Sequence, residues 1–309
     1  MSEMQSVAAA ELAGGNAGAA DPGNRPRSLA GDAWRDLRRK PIFWISLFLV
    51  LAVTAMAAFP GLFTANNPQD CTLSRQHAGP GGGAPFGYDF QGCDIYARAV
   101  FGARASLLVG AFSALLTGVI AVVVGMLAGY FGRWIDSVLS RLIDVVLGIP
   151  LLLAAIVMLK RISSDSPNIR IMAVIFVLAI LGWTTAARVI RSSVISAKQQ
   201  DYVAAARMLG AGNGRTMWRH ILPNSLAPVI VVLTIALGSF IAAEATLSFL
   251  GIGLKAPTIS WGIDIDSGRT HMRESALPLV VPSTFLALTV LAFIMLGDAI
   301  RDAFDPKLR

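Results

Sequence analysis

Charged side chains are scarce in this sequence: Asp, Glu, Lys and Arg make up 15% of 309 residues, against about a quarter in an average soluble domain. That shortage excludes an ordinary soluble globular chain. Histidine and cysteine are scarcer, with three and two copies. None of His77, His220 and His271 falls in an apolar run, and the sequence has neither a Gly-x-Ser-x-Gly elbow nor a His-Glu-x-x-His pair, so no intramembrane enzyme site can be assembled. A P-loop is missing too. The nearest stretch, Gly214-Arg215-Thr216, lacks the lysine and the upstream glycine of that motif, so hydrolysis of nucleotide by this chain is not expected. A cleavable signal peptide is not expected either, because the first apolar run begins near Pro41, behind roughly forty polar residues.

What is abundant is apolar: 55% of the residues are hydrophobic, and the formal net charge is +7. A nucleic-acid binder gathers its basic residues on one solvent face. Here they flank apolar runs, so the positive balance reads as membrane topology and lipid-surface charge, with no nucleic-acid partner. Residues 1–29 are rich in Ala, Gly, Ser and Pro and are expected to be disordered. Residues 30–40 set Trp34 and Leu37 beside Arg35, Arg38, Arg39 and Lys40, which predicts an amphipathic helix at the cytoplasmic membrane surface. The first span covers 41–63, long enough for a hydrocarbon core of about 30 Å. Residues 64–105 form an extracytoplasmic loop, and 106–300 hold five further spans, near 106–130, 138–158, 171–187, 226–249 and 279–297. A short cytoplasmic tail, 301–309, follows. The fold class is all-α, a polytopic membrane protein with six transmembrane helices. Lys and Arg concentrate in the segments this layout places inside, although Lys160, Arg161 and Arg170 argue the other way; both termini are expected in the cytoplasm.

Two features of the spans and loops invite chemistry. Cys71 and Cys93 share the outer loop, on the oxidising side, where a disulfide can persist; the alternative is two unrelated thiols. With only His77 nearby, they are too few to hold a metal. Asp144 and Glu244 fall within or near spans, where a charge costs about 2.5–3.5 kcal/mol, so each faces protein or water. They either line a translocation path or make an interhelical hydrogen bond. Two such isolated acids and no evident internal repeat make a poor secondary transporter or channel.

Between the fourth and fifth spans lies a polar and basic island, residues 201–224. Tyr202, Ala205, Ala206 and Leu209 recur at helical spacing, and Gly210, Gly212, Asn213 and Gly214 interrupt the pattern. A second periodic stretch then places Met217, Trp218, Ile221 and Leu222 on one face, away from Arg215 and Arg219. This predicts helix, turn, helix, with Gly210 as a left-handed C-terminal cap, Asn213 as an N-cap and Pro223 discouraging continuation.

The island resembles the EAA loop of ABC importer permeases: Ala204-Ala205-Ala206, Gly210 and Leu222-Pro223 fall at its spacing. Ala204 stands where Glu is usual, and His220 where Ile is usual, with Ile221 beside it. The segments GYDFQGCDIYARAVFGARASLLVG, AGYFGRWIDSVLSRLIDVVLGIP, EATLSFLGIGLKAPTISWG and LGDAIRDAFDPKLR are similar to the second permease subunit of dipeptide and oligopeptide importers. In that family Gly92 and Asp94 flank a basic residue, and here they flank Cys93. The resemblance implies a type I ABC importer permease fold with a cytoplasmic coupling helix between spans four and five. It implies a non-catalytic subunit without a cofactor of its own, partnered by a homologous permease, two ATPases that bind ATP and Mg, and an extracytoplasmic binding protein. Tyr202, Ala205, Ala206, Leu209, Gly210, Met217, Trp218, Leu222 and Pro223 would carry the ATPase coupling. Nickel importers have similar permeases; the absence of a metal-ligand cluster favours peptides.

Overall fold

The computed structural model describes residues 29–304 except Ser163 and Asp165. The expectations for 1–28 and for 305–309 lie outside the described residues. Apart from two short 3-10 turns, ten helices are seen among the described residues: α1 (Leu29–Arg39), α2 (Pro41–Ala58), α3 (Ile95–Phe131), α4 (Arg133–Leu147), α5 (Leu151–Arg161), α6 (Pro167–Lys198), α7 (Asp201–Met208), α8 (Asn213–Phe249), α9 (Trp261–Thr270) and α10 (Leu277–Phe304). Five of them, α2, α3, α6, α8 and α10, are long and apolar enough to cross a membrane, and α4 with α5 adds a sixth crossing if the pair counts as one.

That pair departs from the straight third span expected over 138–158. α4 and α5 are bent by 84° at the break, which falls at Gly148-Ile149-Pro150. Pro150 has no N–H to continue the helical ladder and keeps Ile149 out of the α region. α5, with 11 residues, is about 16 Å long, roughly half a hydrocarbon core.

α3 starts well before the apolar run that marked its span. The Asp94 carboxylate accepts hydrogen bonds from the N–H groups of Tyr96 (2.9 Å) and Ala97 (3.2 Å), which is an N-cap and sets the helix start at Ile95. The resulting 37-residue helix is about 55 Å long and projects beyond any bilayer core. Three of its glycines serve two neighbours. A Cβ at Gly125 would lie 2.6 Å from the Ala187 carbonyl oxygen and one at Gly129 2.8 Å from that of Arg191, both on α6, while one at Gly118 would meet Leu233 of α8 at 2.7 Å. Small residues therefore let α3 lie in backbone contact with α6. Two ion pairs tie α4 to α6: Arg191 Nη2 to Asp136 Oδ2 at 2.7 Å and Arg188 Nη2 to Asp144 Oδ1 at 2.6 Å.

Residues 59–94 and α9 sit together at one end of the bundle, the loop end. Cys71 and Cys93 are joined by a disulfide there, with Cα atoms 4.2 Å apart across a separation of 22 residues. The Trp261 indole N–H, fully buried, donates to the Ala99 carbonyl at 2.8 Å, and the Arg98 guanidinium bonds Asp264 through both Nε (3.1 Å) and Nη2. Burial pushes the Asp264 carboxyl above the ordinary carboxylate range, a rise that the Arg98 charge and hydrogen bonds oppose and Asp89 reinforces. Arg170 is buried as well. Its guanidinium donates to the carbonyls of Gly253 (3.0 Å), Ile162 (3.0 Å) and Ile252 (3.2 Å), so this cation fastens two connections to each other. At the opposite, island end, α1 docks Leu37 against Phe43, Ala299 and Ala303, and Lys40 Nζ pairs with Asp302 at 2.9 Å.

Candidate functional site: the helical hairpin between α6 and α8

The hairpin is built as its spacing requires. α7 closes on Gly210 at φ +85°. The Gly210 N–H bonds the Arg207 carbonyl at 2.9 Å and the Ala211 N–H bonds that of Ala206 at 3.0 Å, the paired bonds of a Schellman cap. Gly212, rather than Asn213, holds the N-cap position of α8. Asn213 is the first helical residue, and its Oδ1 accepts from the Tyr130 hydroxyl at 2.8 Å.

Pro223 does not stop the second helix. Residues 216–221 form a π-helical turn, with the Leu222 N–H reaching the Met217 carbonyl five residues back, and α8 runs on to Phe249. The wider turn accommodates a ring that has no N–H to donate. Asn224 Nδ2 and Ser225 Oγ then bond back to the carbonyls of His220 (2.8 Å) and Ile221 (3.0 Å).

The face expected to dock a partner is split between core and surface. Met217 is buried with Val203 and Ile221 in a core shared with Tyr130, Ile143, Trp183 and Ile190, so it packs within the bundle and is not available as a contact. Trp218, expected beside it, points out with 64% exposure. Leu209 is 89% exposed and Tyr202 40%. Ala204, Ala205, Gly210 and Pro223 are exposed, and Ala206 and Leu222 are half-buried. Met208, 83% exposed, completes the apolar edge; periodicity does not single it out, because it sits where the helical period ends at the cap. A groove of about 320 Å³ lies against this edge, lined by Ala206, Leu209, Ala211, Arg215, Arg219 and His220. Among the described residues no carboxylate pairs with Arg215 or Arg219. Exposed apolar side chains thus lie beside two cations at this edge.

The two acids singled out in or near the spans are not brought together. Glu244 is fully buried and accepts from Ser106 Oγ (2.9 Å) and Ser248 Oγ (2.8 Å), so it ties α8 to α3. Asp144 is exposed in its pair with Arg188.

An all-helical bundle of membrane-crossing helices, with a helical hairpin projecting between two of them, defines a multi-pass membrane transport subunit. A chain of an amino acid ABC transporter solved with histidines shares the fold, with a TM-score of 0.51 at 18% identity over 66% of this chain and 92% of that one. The chain belongs to the family of binding-protein-dependent transport system inner membrane components, whose model matches residues 121–309. Residues 28–80 match the N-terminal transmembrane domain of oligopeptide transport permease C. The dipeptide transport system permease protein DppC of Alkalihalophilus pseudofirmus is 36% identical over 90% of each chain. The oligopeptide transport system permease protein OppC of Bacillus subtilis is 32% identical over 97% of each. The glutathione transport system permease protein GsiD of Pectobacterium atrosepticum is 34% identical over 89% of this chain and 90% of that protein.

Proposed function

We propose that this chain is the permease subunit of an ATP-driven importer of dipeptides or oligopeptides, forming the translocation path together with a homologous permease. Support for the substrate class comes from relatives named for dipeptide, oligopeptide and glutathione transport, aligned along about nine-tenths of the chain or more. Both termini and the hairpin face the cytoplasm, where two ATPases bind ATP and Mg and perform the hydrolysis; this chain supplies no catalytic group. An extracytoplasmic binding protein delivers the peptide at the loop end.

Coupling runs through the hairpin. The observation that carries this reading is the edge of Tyr202, Met208, Leu209 and Trp218, apolar and exposed beside the groove walled by Arg215 and Arg219. Its chemistry fits a partner groove that is apolar at the base and acidic at the rim. The Schellman cap at Gly210 holds the turn rigid, so movement of the docked partner passes into α6 and α8 and switches access across the membrane. In proteoliposomes holding the permease pair and the ATPases, with the binding protein outside, peptide uptake is expected to require internal ATP. Uptake at full rate without ATP would refute the reading.

A further inference from the structure

One residue at the island end of α3 is engaged from three other helices. Tyr130 is the penultimate residue of α3 and is 4% exposed. Its hydroxyl donates to Asn213 Oδ1, at the start of α8, at 2.8 Å. Its carbonyl oxygen accepts from Lys198 Nζ, at the end of α6, at 2.6 Å. The Lys198 ammonium lies 5.5 Å from the ring centroid, and the Arg207 guanidinium of α7 lies 5.4 Å from it. Among the described residues neither cation has a carboxylate partner; Lys198 is held by the Tyr130 carbonyl and ring, and Arg207 lies against the ring.

We propose that Tyr130 is the positioning residue that locks the hairpin to the α3–α6 body, so that a push on the hairpin reaches α3 directly and not only the two helices continuous with it. This rests on the coupling reading above. α3 and α6 pack together in backbone contact at Gly125 and Gly129, and this pair is the body the hairpin meets. Besides the apolar packing of Val203, Met217 and Ile221, the hairpin meets that body through Arg207 on one arm and Asn213 on the other, both in contact with Tyr130. Three residues beyond Asn213, α8 passes into its π-helical turn, a local break in the regular i to i+4 ladder. A push on the hairpin therefore has two routes into the bundle, one through Tyr130 into α3 and one along the chain into α8.

The test uses the complete transporter in proteoliposomes and reads peptide imported per ATP hydrolysed, together with ATPase affinity. Tyr130→Phe keeps the ring, its packing and both cations and removes only the bond to Asn213. Asn213→Ala removes the same bond from an exposed position that leaves the core filled. Each is expected to lower peptide per ATP by about threefold to tenfold, the span of one hydrogen bond. The double variant should be no worse than either single one, with ATPase affinity within about twofold of wild type. Unchanged peptide per ATP in both single variants would overturn the proposal. So would a loss of ATPase affinity in Tyr130→Phe that accounts for the whole defect, because Tyr130 would then shape the docking surface instead of transmitting force. Failure of the underlying reading has a separate signature, namely ATPase affinity that is insensitive to substitution of Leu209.

Discussion

Replacing Leu209 by alanine removes the most exposed large apolar side chain of the hairpin, 89% of which faces solvent. If the ATPase covers it, the variant loses about three carbon groups of burial at roughly 0.8 kcal/mol each, or about 2 kcal/mol of association free energy. That corresponds to a roughly thirtyfold weaker complex. The permease itself should be untouched, since nothing in its core contacts that side chain's outer face. Met217→Ala is the matched control eight residues on. It empties a buried site and should cost the fold about 2–5 kcal/mol while leaving the docking edge intact. Titrating purified ATPase into permease pairs held in lipid nanodiscs gives the affinities, and thermal unfolding of the same samples gives the stabilities. The reasoning fails if Leu209→Ala binds ATPase within about twofold of wild type, or if Met217→Ala weakens binding as strongly as Leu209→Ala without lowering the unfolding midpoint.

Gly129→Ala places a methyl group 2.8 Å from the Arg191 carbonyl oxygen, forcing α3 and α6 apart; overpacking of this kind costs about 1–3 kcal/mol and should appear as a lowered unfolding midpoint, whereas an unchanged midpoint would mean that the helices are not in backbone contact. At the loop end, the native carboxyl of Asp264 lies above its unfolded value because of burial. The folded state therefore binds the proton more tightly, and the stability this contributes is present in acid and lost as pH rises from about 3.9 through the raised native value. Asp264→Asn should flatten that part of the pH dependence of the unfolding midpoint; an equally steep slope in the variant would assign it to another group.

Much of the candidate site was legible because its grammar is local. The turn at Gly210 follows from residues within one helical turn of each other, since a glycine after a short periodic run supplies the left-handed conformation that a Schellman cap needs. The direction of Met217 was not legible. Helical spacing grouped it with Trp218, but adjacent residues of a helix point about 100° apart, and packing against Val203 and Ile221 takes Met217 inward while Trp218 is left outside. The early start of α3 was missed for a related reason. Its first residues are paired with the loop end through Arg98 and Ala99 and so need no continuous apolar run, while the cap at Asp94 is a signal that apolar content does not register.

The sequence by itself determined the class of the protein, because entry into a bilayer depends on the length and apolarity of each run, sums that need no knowledge of neighbours. It also determined the family and the place of the hairpin among the spans. Only the tertiary structure decided that the third apolar stretch is broken by 84°, that Glu244 and Arg170 fasten helices and connections from buried positions, and that Tyr130 joins four helices. Each of these is a relation between residues far apart in the chain. Hydropathy is a property of one residue at a time, whereas a partner for a buried polar group is supplied by whichever distant segment the packing brings alongside.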